Sequence, residues 1–172
     1  MASFTAGKHA EAVVRASQQE IWDVLRDPDL MARFTPFLQS ITETRSGEGG
    51  GETVHWVWQM TGLDVPGIDL KPRFTEKMVF AEPDRIDFTH DPPTDAGAKA
   101  EKASVEGWYE LSPADDVEPG ATNLVIDLQI TVDLPVPKVA GGVVRTAMAR
   151  VVDQMGDRFS ANLLKHLGTT QV

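Results

Sequence analysis

The chain has 172 residues, 41% of them hydrophobic and 24% charged, which is enough for one globular domain with a real core. A formal net charge of −10 without any basic cluster excludes nucleic acid as a partner, since phosphate binding needs clustered Lys and Arg, and it opposes stable residence on anionic lipid. The absence of cysteine excludes disulfides, thiolate metal sites and a thiol nucleophile, and it points to a reducing cytoplasm.

In chain order, Met1 to His9 is polar and lacks the build of a secretory signal, and no apolar run approaches the ~20 residues that span a bilayer. A first strand is predicted over Ala10 to Ala16. Ser17-Gln18-Gln19-Glu20 then reads as a capping box, so a helix starts at Gln18 and buries Ile21, Trp22 and Leu25. Asp27-Pro28 supplies a second N-cap with proline at the first helical position, opening a short helix that carries Leu30, Met31 and Phe34 and stops at Pro36.

Strands follow, separated by turns. They are predicted over Phe37 to Arg45, Thr53 to Met60, Arg73 to Phe80, Arg85 to His90, Ala103 to Leu111 and Leu124 to Leu134, with loops over Gly62 to Pro72 and Asp91 to Lys99. Alternation puts Trp56, Trp58 and Met60 on one face of their strand and His55, Val57 and Gln59 on the other. Pro135 and Pro137 end the last strand. From Lys138 to Leu167, apolar residues recur at three- and four-residue steps from Val139 and Val143 through Val144, Met148, Val151 and Val152 to Leu167, with Gly168 placed to close the helix. A long helix with one apolar stripe needs a broad partner, and a curved antiparallel sheet of about seven strands provides one. The prediction is therefore an α+β domain over 1–172, with its core at about 10–168.

Ala16-Ser17, Ile21-Trp22, Val24-Leu25, Asp27-Pro28, Phe34 and Pro36, followed by the meander and the long helix, resemble the START and Bet v 1-like (SRPBCC) superfamily in its bacterial polyketide cyclase/dehydrase branch. Phe34 stands where many members have tryptophan. The resemblance implies the helix-grip fold and a hydrophobic cavity between sheet and C-terminal helix for lipids, quinones, polyketides or similar molecules. It does not decide between carrier and enzyme.

On strand parity, the candidate ligand-binding residues are Trp56, Trp58, Met60, Phe74, Met78, Phe80, Phe88 and Tyr109, met from the helix by Val144, Met148 and Val151. Glu76, His90 and Tyr109 share the inward parity and are the candidate catalytic residues, because a carboxylate in an apolar cavity must be paired or protonated and a nearby histidine could exchange its proton. His9, His55 and His166 are expected at the surface. The four histidines are too scattered for a metal site, and no phosphate cradle or nucleophile elbow is present, so neither metal nor cofactor is called for. The first reading is a cytoplasmic binder of a small hydrophobic molecule, monomeric or weakly dimeric. The alternatives are a cyclase, aromatase or dehydratase using the cavity residues, and an assembly module with a filled interior and an exposed apolar patch. The loops Gly62 to Leu70 and Asp91 to Lys102, with the short helix Asp29 to Phe34, are expected to gate one end of the cavity.

Overall fold

A computed structural model describes residues 2–65, 68–94 and 101–172. The Ser17 hydroxyl accepts from the Glu20 amide at 3.3 Å and the Glu20 carboxylate accepts from the Ser17 amide at 2.8 Å, completing the capping box that starts α1 (Gln18–Leu25). Asp27 caps α2 (Pro28–Phe34) by accepting from the amides of Asp29 and Leu30. Both helices bury their apolar sides, with Ile21, Trp22, Val24, Leu25, Met31 and Phe34 in the core.

The strands are β1 (Ala2–Val14), β2 (Leu38–Ser46), β3 (Thr53–Met60), β4 (Leu63–Val65), β5 (Ile68–Leu70), β6 (Arg73–Ala81), β7 (Arg85–His90), β8 (Ala103–Pro113) and β9 (Thr122–Leu134). Seven of them form one sheet in the order β1-β9-β8-β7-β6-β3-β2, every neighbouring pair antiparallel. After a 3-10 turn over Lys138–Ala140, α3 (Gly141–Leu167) runs to Gly168, whose φ of 63° and amide bonds to the Leu164 and Lys165 carbonyls form the left-handed cap expected there.

Three features depart from the sequence reading. β1 begins eight residues earlier than predicted and pairs along its whole length with β9, from Ala2↔Leu134 to Val14↔Thr122. The clear alternation of β9 provides a template that the Ala-, Gly- and Lys-containing start of the chain does not advertise by itself. The predicted loop 62–72 contains the small β4-β5 hairpin, antiparallel with Leu63 opposite Leu70. Val139 and Val143 are 94% and 78% exposed instead of facing the sheet. They form an i, i+4 row of their own, rotated away from the row Val144, Met148, Val151, Met155 and Phe159 that faces inward. Of the gating elements, residues 66–67 and 95–100 lie outside the described residues.

α3 is tied down along its length. Lys8 of β1 reaches Asp153 at 2.6 Å, and the Asn162 amide donates to the Phe34 carbonyl at 3.0 Å. Phe34 packs against Phe159 and His166 with ring centroids 6.4 and 5.3 Å apart. The residues beyond Gly168 return to the end of β1, where the Val172 amide donates to the Val13 carbonyl and the Arg15 amide to that of Thr170. Helix and sheet are thereby clamped at α2, at mid-β1 and at the C-terminus, with the space between these fastenings free to remain hollow.

Candidate functional site: an apolar cavity between sheet and helix

Alternation turns one face of the large sheet toward α3, and the two surfaces enclose a cavity of about 310 Å³. Trp56, Trp58 and Met60 line it from β3, Phe74 and Met78 from β6, Phe88 from β7 and Tyr109 from β8, with Val144, Met148 and Val151 opposite them on α3. Phe80, grouped with these residues by parity, is not on the wall. It lies beyond Trp56, 6.0 Å from that ring and 6.3 Å from the Trp22 ring, and the Arg26 guanidinium covers it at 4.1 Å. α1 therefore covers the part of the sheet face that carries Phe80.

The aromatic side of the cavity is ordered by stacking. Trp58 lies nearly parallel to Phe74, at 14° and 5.7 Å, while Phe88 and Tyr109 meet tilted at 5.2 Å. Trp56 is fully buried and its indole N–H donates to Glu43 at 2.9 Å. Burial alone would raise the Glu43 pKa. Hydrogen bonds from Arg26, Trp56 and Arg45, with the Arg26 charge, outweigh that and hold it at about 2. This network joins the end of α1 to β2 and β3 behind the cavity wall.

Glu76 is 2% exposed, on the cavity wall between Phe74 and Met78. Burial raises its pKa to about 8, outweighing the opposite effect of the nearby Trp58 indole N–H. No hydrogen bond of ordinary geometry joins the two. Trp58 Nε1 and Glu76 Oε2 are both buried without a partner among the described residues. The Tyr109 hydroxyl is also held above its ordinary pKa, first by burial and then by the Glu76 charge.

His90 sits directly across from Glu76 in the β6-β7 register, which gives both the same face. Its ring nevertheless turns to Glu101, 2.9 Å from Nε2, and it is absent from the cavity wall. Glu101 also accepts from the Thr75 amide at 2.8 Å and the Thr75 hydroxyl at 2.7 Å, so one carboxylate supplies the partner that β6 lacks where β7 has ended. Among the described residues no hydrogen bond connects His90 with Glu76. His55 pairs with Asp91 at 2.8 Å and keeps only 20% of its side chain exposed, less than expected, whereas His9 is 59% exposed beside Asp127.

Sequence reasoning missed several wall residues. Lys8 and Ala10 line the cavity because even-numbered residues of β1 face inward opposite Leu128 and Ile126, and Lys8 falls in the part of β1 that precedes its predicted start. The Lys8 stem covers apolar surface while its ammonium pairs with Asp153. Met31, Thr35 and Pro72 contribute from segments whose cavity-facing role has no periodic signal, and Met155, Gly156 and Ser160 extend the α3 wall.

A sheet gripping its terminal helix over an apolar hollow defines a helix-grip fold. The chain belongs to the polyketide cyclase / dehydrase and lipid transport family, whose model matches residues 6–167. No curated protein sequence matches it. Among solved structures, a Thermus thermophilus protein superposes with a TM-score of 0.67 at 15% identity, covering 94% of this chain and 99% of that one. The Zhui aromatase/cyclase from a Streptomyces species gives 0.65 at 14% identity, over 94% and 93%. A START superfamily protein from Mycobacterium smegmatis gives 0.58 at 18% identity, over 94% and 97%. At such identities the likeness concerns the fold. No described helix is long and apolar enough to cross a membrane.

Proposed function

We propose that the protein binds a small hydrophobic molecule in the cavity between its sheet and α3, and carries or sequesters it. The cavity itself supports this reading. Its walls are predominantly Trp, Phe, Met, Val, Leu and Ile, and a volume of about 310 Å³ falls at the small end of the ~300–1,000 Å³ of small-molecule sites. An occupant of one or two rings, or a short chain, fits that volume better than a two-chain lipid. The open interior speaks against an assembly module with a filled core. We place the activity in the cytoplasm and in a monomer or weak homodimer.

The test is native mass spectrometry of the purified protein, with extraction of any copurifying molecule, beside a Met148→Trp variant that fills the cavity from α3. A small apolar molecule on the parent and none on the variant supports the reading. Equal loading of both counts against it.

A second reading, proton transfer to a bound molecule, is favoured by one observation: Glu76 is a cavity carboxyl held protonated up to about pH 8. The aromatase/cyclase among the structural neighbours makes a reactive poly-β-ketone the substrate to try. Cyclisation faster than in buffer and lost in Glu76→Gln is the expected result. An unchanged rate in that variant removes the reading.

A further inference from the structure

The cavity wall carries an asymmetry between its two tryptophans. Trp56 spends its indole N–H on Glu43, and nothing more is needed there. Trp58, two residues along the same strand face, buries its N–H, and Glu76 on the next strand buries Oε2, neither with a hydrogen-bond partner of ordinary geometry among the described residues. A donor-only indole and an unpaired carboxyl side by side in an apolar wall are costly to leave unsatisfied in the folded protein. Such orphan groups are a polar anchor waiting for a ligand atom.

We propose that Trp58 and Glu76 form the polar end of the cavity and select a neutral molecule with a carbonyl oxygen on an otherwise apolar body. This rests on the reading of the cavity as a ligand site and specifies what the ligand must carry. A carbonyl oxygen has two lone pairs. One accepts from the Trp58 N–H and the other from the Glu76 hydroxyl, which is present at neutral pH because burial keeps the carboxyl protonated. Tyr109, farther along the wall, adds a third donor, a hydroxyl that burial also keeps neutral.

Competing head groups fit worse. An ammonium has no lone pair for the Trp58 N–H and leaves it unsatisfied. A carboxylate brings a negative charge into an apolar wall, where the cation among the described lining residues, Lys8, is committed to Asp153 at 2.6 Å. A plain hydrocarbon fills the apolar space and leaves both polar atoms as they are.

The experiment uses four naphthalenes of similar size in calorimetric titrations at neutral pH: acetylnaphthalene, ethylnaphthalene, naphthoate and naphthylethylamine. The expected result is that the ketone binds at least about tenfold more tightly than the hydrocarbon and ahead of both charged probes, as a ligand oxygen satisfying buried donors requires. In Glu76→Leu and in Trp58→Phe the ketone-to-hydrocarbon ratio falls severalfold toward one, and Glu76→Gln, which keeps an N–H donor, retains most of it. Reading a ratio of two affinities in one protein separates loss of the anchor from a general change in the cavity. Equal affinities for ketone and hydrocarbon, tightest binding of the amine or the carboxylate, or a ratio unmoved by both variants each overturns the inference while leaving the cavity reading intact. Failure of all four probes, the hydrocarbon included, overturns the cavity reading and this inference with it.

Discussion

Replacing Glu76 with glutamine should flatten the pH dependence of folding stability in a defined window. Glu76 has its folded-state pKa raised from 4.5 to about 8 by burial, whereas in the unfolded chain it titrates near 4.5. Below pH 4.5 both states hold the proton and the side chain imposes no ionisation penalty. Between 4.5 and about 8 the folded state binds more protons than the unfolded one, so stability falls as pH rises, by about 1.36 kcal/mol per pH unit. The full displacement amounts to about 5 kcal/mol, of which about 3 kcal/mol is already present at pH 7. Glutamine keeps the shape and cannot ionise. Urea unfolding of the ligand-free protein and of Glu76→Gln at pH 5, 6, 7 and 8 should give a stability difference that grows by several kcal/mol in favour of the variant as pH rises. Taking the difference cancels contributions that wild type and variant share. Parallel stability curves would refute the argument, because they would show that Glu76 ionises in the folded protein as easily as in the unfolded chain.

Glu43 has the opposite sign. Its pKa is held near 2 by Arg26, Trp56 and Arg45, so its stabilisation is complete above pH 4.5 and is lost as pH falls through about 2; acid unfolding should show wild type ahead of Glu43→Gln by about 2 kcal/mol at pH 6 and no difference below pH 2. Gly107→Ala should cost about 1–3 kcal/mol or more in urea unfolding, because a Cβ there lands on the Asp127 carbonyl and 2.7 Å from Leu128 Cα, forcing β8 from β9; an unchanged midpoint would show that the strands part freely. Ser17→Ala removes one side of the capping box and should lower stability by about 1 kcal/mol, and a loss below about 0.3 kcal/mol would mean that packing of Trp22 and Leu25 alone holds α1 in place.

Much of the architecture was legible from local pattern. The capping box, the Asp27-Pro28 restart, the Gly168 stop and the alternating runs of β3, β7 and β9 each report a preference that a few neighbouring residues settle among themselves. Parity also placed Trp56, Trp58, Phe74, Glu76, Met78, Phe88 and Tyr109 on the inner face, and the resemblance carried by the front of the chain named the grip.

Local pattern could not assign partners. Glu76 and His90 share a face as expected, yet His90 turns to Glu101, a residue that β8 brings to the end of β7. Phe80 has cavity parity, and α1 takes it from the cavity. Val139 and Val143 continue an apolar helix, and no described element lies over that turn to bury them. By itself the sequence determined most of the backbone elements and which way their side chains alternate, because propensity, capping and pleat act over a few residues; the first half of β1 and the β4-β5 hairpin needed partners. Which of those side chains meet, which stay unsatisfied and where space remains between sheet and helix was decided by the tertiary structure, because these depend on contacts between segments far apart in the chain.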